Sequence, residues 1–170
     1  GASGNNDSSA IVAILLDGSG TVAGEPFLVN EWSTGHQDEV DAAASGGNYL
    51  LVWTSEDQDG DGTGVFGRVI ASDGMPIGGE FQVNSHTAGD QSAPRTAALS
   101  GGGYELVWTS EGQDGDGEGV FRRTLENDGV SMGEEAQVNI FSSGNQSSPA
   151  VAGLAGGGSV VVWQTCSDEL

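Results

Sequence analysis

Three tryptophans, Trp53, Trp108 and Trp163, stand 55 residues apart and close the same short apolar phrase: NYLLVW, GYELVW and GSVVVW. A period kept this strictly through three copies marks a repeat architecture, in which each unit buries its apolar side against its neighbours. The likeness extends well beyond the tryptophans. Upstream, Asn30, Asn84 and Asn139 close FLVN, FQVN and AQVN. Each is followed by a matching turn: Gly35-His36-Gln37, Gly89-Asp90-Gln91 or Gly144-Asn145-Gln146. Downstream, SEDQDGDGTGVFGRVIASDG in the first copy answers SEGQDGDGEGVFRRTLENDG in the second.

Within a unit the pattern predicts four short strands. FLVN is the first and EVDAAAS, or PRTAALS in the second copy, is the next. YLLVW is the third and GVFGRVI the fourth, with turns rich in Gly, Asp and Asn between them. Gly supplies 30 of 170 residues, a density that would break helices throughout. The chain therefore reads as all-β, a single pseudo-threefold domain over residues 1–170. Repeat 1 covers about 27–80, repeat 2 about 81–135, and repeat 3 about 136–170.

The third repeat stops at WQTCSDEL, without a fourth strand of its own. The other end of the chain carries the missing pattern. With Ile11 set on Val65, AIVAILLDGSGTVAGEPFLVN aligns with GVFGRVIASDGMPIGGEFQVN, and residues 5–26 complete repeat 3. The segment Ala10, Ile11, Val12, Ala13, Ile14, Leu15 and Leu16 then becomes the closing strand. It would pair in cis with its own chain or in trans with a second copy. Its internal counterparts carry Arg68, or Arg122 and Arg123, whereas this segment has no polar side chain on either face. Such a strand requires cover on both faces and is an aggregation hazard if left free. The expected architecture is three four-stranded units in a three-bladed, propeller-like arrangement; a β-trefoil or β-prism is the alternative.

Charge narrows the partners. Four Arg and no Lys oppose 25 acidic residues, for a formal net charge of -21. Nucleic acids and anionic membranes are excluded on this ground, because phosphate binding needs clustered cations. No apolar run approaches the length of a membrane helix, so no membrane insertion is expected. Gly1 reads as a mature or trimmed start, and Cys166 is the one cysteine, so disulfides do not hold the fold together. The acidic, Lys-free composition suits an extracellular or cell-surface bacterial protein.

The acidic loops between the third and fourth strands are the strongest site signal. Asp57, Asp59 and Asp61 in the first copy, and Asp114, Asp116 and Glu118 in the second, alternate with Gly. Several carboxylates and carbonyls on such a loop can curl round one hard cation, and Ca²⁺ is the expected one. Asn5 and Asp7 hold the corresponding places for the third repeat. The loop is not an EF-hand, since its twelfth position is Arg68. Against the cation reading, Asp-Gly pairs are ordinary turn formers.

Trp53, Trp108 and Trp163 are expected as core pillars rather than sugar platforms, and Trp32 as a surface contact. The recurring Asn and Gln residues are accounted for by bonds to turn backbone. Arg68 and Arg123 are expected to pair with loop acids. Catalysis has little support: His36 and His86 occupy non-equivalent positions, and no Ser/His/Asp order, HExxH motif or Cys/His metal spacing is present, so no catalytic residue is assigned.

The pattern W-T-S-x-x-Q-D-G-D-G-x-G-V-F, continued by G-x-E-x-x-V-N and G-x-Q, resembles tandem repeats of large secreted, adhesin-like bacterial surface proteins associated with calcium. The likeness runs from about Asn5 to Trp163. It implies an extracellular location, Ca²⁺ dependence and a structural or adhesive role. Together these features read as a non-enzymatic protein that self-associates by strand complementation into a filament or surface array. A monomeric lectin with up to three glycan sites is the alternative, and a carboxylate-dependent glycoside hydrolase the remotest.

Overall fold

The structure, a computed structural model, describes residues 8–166, and within them the chain is all-β with no helix. Twelve strands occur in order: β1 (Val12–Ala13), β2 (Phe27–Leu28), β3 (Gln37–Ser45), β4 (Asn48–Glu56), β5 (Thr63–Ala71), β6 (Pro76–Gln82), β7 (Gln91–Ala98), β8 (Tyr104–Glu111), β9 (Glu118–Leu125), β10 (Ala136–Gln137), β11 (Gln146–Gly153) and β12 (Ser159–Thr165). They form two complete antiparallel sheets, β3-β4-β5-β6 and β7-β8-β9-β10. Two half-sheets, β1-β2 and β11-β12, flank them.

This corrects the expected grouping of strands. The FQVN segment was read as opening a unit, but it ends one: Phe81 faces Gly67 and Gln82 faces Phe66 on the strand before. A short hairpin, with Ala71 N–H donating to Met75 C=O at 2.8 Å, returns the chain antiparallel onto β5. A local hairpin closes its loop at far lower entropic cost than a pairing across the next turn. The result is two four-stranded and two two-stranded sheets rather than three four-stranded ones. Among the described residues no barrel or ring closes: β1 pairs only with β2, and β12 only with β11.

The sheets stack face to face in chain order. On β4, Leu50, Leu51, Val52 and Trp53 are all buried, because each face is covered by a different neighbour. Trp53, Leu51, Phe66 and Ile70 pack with Ile11 and Val29 of the β1-β2 half-sheet. From the opposite face, Leu50, Val52, Val65, Val69 and Val83 pack with Tyr104, Leu106, Trp108, Phe121 and Leu125 of the next sheet. Strand alternation thus becomes a relay, each sheet giving one face backward and one forward.

A bulge recurs near the start of β3, β7 and β11, each an edge strand of its sheet. Register shifts lie between Asp38 and Asp41, Ser92 and Arg95, and Ser147 and Ala150. The residues at the bulge, Glu39, Ala93 and Ser148, all take positive φ (52°, 51° and 54°). A non-Gly residue is strained there, so three equivalent occurrences identify a built-in bend.

Candidate functional site: acidic loops and unpaired sheet edges

A buried Asn–Gln pair joins each unit to the next. Asn84 Oδ1 accepts the Val65 N–H at 2.8 Å, and its Nδ2 donates to His86 C=O at 2.7 Å and to Gln91 Oε1 at 2.9 Å. Gln91 Nε2 in turn donates to the carbonyls of Ala88 and Gly89, at 3.0 and 3.2 Å. Asn30 with Gln37, and Asn139 with Gln146, repeat the arrangement on Ile11 and Val120. These residues clamp the turn between sheets, as their bonding to turn backbone predicted.

The acidic loops serve the same joints. Asp59 Oδ2 accepts from Gln82 Nε2 and Asn84 Nδ2, both at 3.3 Å, and Asp114 Oδ2 from Asn139 Nδ2 at 2.8 Å. Asp61 Oδ2 takes the Gly89 N–H and Asp116 Oδ2 the Gly144 N–H, each at 3.1 Å. In the other direction Asp90 Oδ1 accepts from Thr63 N–H, and Asn145 Oδ1 from Glu118 N–H. The loops lie so close to the following turn that a Cβ on Gly62 or Gly117 would overlap Asp90 or Asn145; both glycines take positive φ. Asp57 lies exposed at φ 58° at the loop entrance. Asn5 and Asp7 lie outside the described residues.

A Ca²⁺ ion takes about six to eight oxygen ligands. The donors here are all oxygen, which suits it, but the carboxylates diverge toward neighbouring amides. Among the described residues no three acidic, His or Cys side chains converge to hold a metal. What the stacking does bring together is a depression of about 580 Å³ edged by Asp38, Glu39, Asp90, Glu111 and Glu118. Of these only Glu118 was expected from the sequence as a cation ligand, while Asp90 was read as part of a recurring turn. The others sit at the starts or ends of strands in different repeats, and no linear spacing connects them. Glu39 is engaged there, its Oε2 accepting the Ala93 N–H at 2.6 Å and the Thr54 hydroxyl at 2.9 Å.

The arginines do not pair with the loop acids. Arg68 reaches back to the preceding unit, donating to Val29 C=O at 2.8 Å and to Glu31 Oε1 at 2.6 Å. Arg123 does the same to Val83 C=O and the Ser85 hydroxyl. Each side chain thus meets the segment that follows the preceding sheet's last strand. A separate ion pair, Arg122 Nη1 to Glu105 Oε1 at 3.2 Å, satisfies the buried Glu105 together with Thr124 Oγ1 at 3.1 Å.

The two outer edges differ from all internal ones. Trp53 and Trp108 are fully buried pillars, whereas Trp163 is 37 % exposed. On β12 Val160 and Val162 are exposed as well, and on the first segment Val12, Ile14 and Leu16. Ile14 stands at the place of Arg68; the repeat equivalents of the other four, Leu50, Val52, Phe66 and Ile70, are buried. Trp32, expected at the surface, is exposed.

Tyrosine reports the same asymmetry. The Tyr104 hydroxyl donates to the carbonyls of Ser45 and Asn48 in the hairpin of the preceding sheet. Tyr49, its equivalent, is exposed, because the half-sheet before it lacks that hairpin. An apolar depression of about 350 Å³ opens there between Ile14, Leu15, Leu16, Phe27, Tyr49 and Ile70. Burial raises the Tyr104 hydroxyl above the usual tyrosine range. The folded state therefore releases this proton less readily than the unfolded chain. Stability from Tyr104 is full below about pH 10 and falls as pH rises beyond it. Urea titrations at stepped alkaline pH should show the decline, and Tyr104→Phe should flatten it.

Comparison of the chain with protein-family models, with curated proteins and with solved structures gives no match.

Proposed function

We propose that the chain is a non-enzymatic extracellular structural or adhesive protein that self-associates through its half-sheets into a filament or surface array. The observation that carries this reading is complementarity: β1-β2 are the last two strands of a sheet and β11-β12 the first two. In the complete sheets Trp53 faces Phe66 and Trp108 faces Phe121. The same register would set Trp163 against Val12, giving the order β11-β12-β1-β2. Exposed Val12, Leu16, Val160, Val162 and Trp163 would then take the places that Phe66, Ile70, Leu50, Val52 and Trp53 occupy in the interior. Joining of this kind is head-to-tail, so it propagates unless the rotation closes. The same pairing in cis would give a three-bladed ring.

Ca²⁺ enters this reading as a counter-ion. Copies of a chain with net charge -21 repel one another, and divalent cations near the acidic depression relieve that repulsion. No nucleic acid is expected as a partner.

The experiment is sedimentation and negative-stain microscopy of the 170-residue chain over a concentration series. Concentration-dependent ordered polymers are expected, enhanced by Ca²⁺ over NaCl at equal ionic strength. Val12→Lys with Leu16→Lys, both at exposed positions, should abolish polymers while leaving the urea midpoint nearly unchanged. A chain that stays a single copy at millimolar concentration would refute the proposal; in that case glycan-array binding would favour the lectin alternative.

A further inference from the structure

Repeat equivalence assigns a side-chain partner across every joint between sheets, and the outermost joint differs from the internal ones in chemistry. At the first internal joint Arg68 donates to Glu31 and to Val29 C=O. At the second, Arg123 donates to Ser85 and to Val83 C=O. One repeat further on, the place of Glu31 and Ser85 falls to Ile140, and the place of Arg68 and Arg123 falls to Ile14. Both isoleucines are exposed, Ile14 at 42 % and Ile140 at 88 %.

A second contact changes in the same way. Glu80 accepts the backbone N–H groups of Glu31 and Trp32, at 2.6 and 3.1 Å, and Glu135 accepts those of Ser85 and His86, at 2.6 and 3.2 Å. The equivalent of Glu80 and Glu135 in the first segment is Pro26, and the residues that would lie beneath it are Ile140 and Phe141. Pro26 and Phe141 are exposed too. Ile14, Pro26 and Ile140 are apolar where both internal joints carry polar side chains, and Phe141 stands where Trp32 and His86 stand, although the two sides of this joint lie at opposite ends of the chain. Isolated exposed apolar residues carry no message, but complementary ones at matched positions do.

We propose that a second copy of this chain docks with its Ile14 and Pro26 on Ile140 and Phe141 of the first. This inference rests on the strand-complementation reading and adds the contact that selects the joint. An Arg placed opposite Ile140 would lose its side-chain acceptor, and an Ile placed opposite Glu31 would leave that carboxylate unpaired. The apolar match thus favours outer edge to outer edge over any pairing with an internal position.

The test uses Ile14→Arg, Ile140→Glu and the double variant, which recreates at the outer joint the Arg–Glu pair of the first internal joint. Each single change buries an unpaired charge at the joint and should raise the concentration for half-assembly about tenfold or more. The double variant should recover most of that loss. Because both side chains are exposed, the urea midpoint of dilute single copies should not move, which separates docking from folding. If the parent chain does not assemble, both this inference and the reading beneath it fall. If the parent assembles and the single variants assemble equally well, only this contact is overturned. Impaired single variants with no recovery in the double also overturn the contact while leaving strand complementation standing.

Discussion

Trp108→Ala lowers the unfolding free energy by about 3–5 kcal/mol, while Trp163→Ala costs no more than about half of that in dilute single copies. The two residues occupy the same repeat position, so sequence gives no reason to separate them. Trp108 lies fully buried between sheets, in a cluster with Val65, Val83, Phe121 and Leu125. Its removal leaves a cavity walled by side chains of both sheets, which cannot collapse without moving a sheet. Among the described residues no strand lies beyond β12 to cover Trp163, and solvent already reaches more than a third of it. Urea denaturation at low concentration measures both changes. Under assembling conditions the Trp163 variant should lose far more, since Val12 of a second copy would then cover it. Equal costs in the dilute state would contradict the sheet stacking described above.

Asn84→Ala should cost about 2–4 kcal/mol, more than its modest size suggests, because a lost hydrogen bond is cheap only when both partners leave. The change strands three groups: the Val65 N–H, the Gln91 Oε1 and the His86 carbonyl. Asn84 and Gln91 are each almost fully buried, so water cannot take over without opening the turn. The same logic predicts strong coupling. Asn84→Ala combined with Gln91→Ala should cost clearly less than the two single changes together, by about 0.5–3 kcal/mol. Additive costs in urea melts would mean that the two side chains act separately.

Strand identity was legible because it depends on short-range patterning. The continuous apolar run at Tyr49–Trp53 indicated a strand covered on both faces, and β4 is one. The burial of Trp53 and Trp108 followed from their place at the end of that run. Grouping was less legible. Whether Phe81–Gln82 ends one sheet or begins the next depends on which edge is nearer after a turn, and composition on the two sides is alike. The acidic loops show the same limit. Alternating Asp and Gly is compatible both with wrapping a cation and with capping amides of a neighbouring turn, and only the structure shows that Asp61 and Asp116 meet the Gly89 and Gly144 N–H groups. The depression edged by Asp38, Glu39, Asp90, Glu111 and Glu118 had no linear signature, because two different repeats contribute to it.

By itself the sequence determined the repeat, the all-β class, the loop positions and the uninterrupted apolar character of residues 10–16, since each follows from the order and spacing of side chains along one strand or turn. Only the tertiary structure decided which strands share a sheet, which carboxylates serve as caps, and which of two equivalent residues is buried. Those outcomes depend on what lies across a face or beyond an edge. The physical reason is that repeat equivalence fixes a residue's role within its own unit, whereas burial and pairing are properties of its neighbour, and the units at the two ends of this stack each lack one.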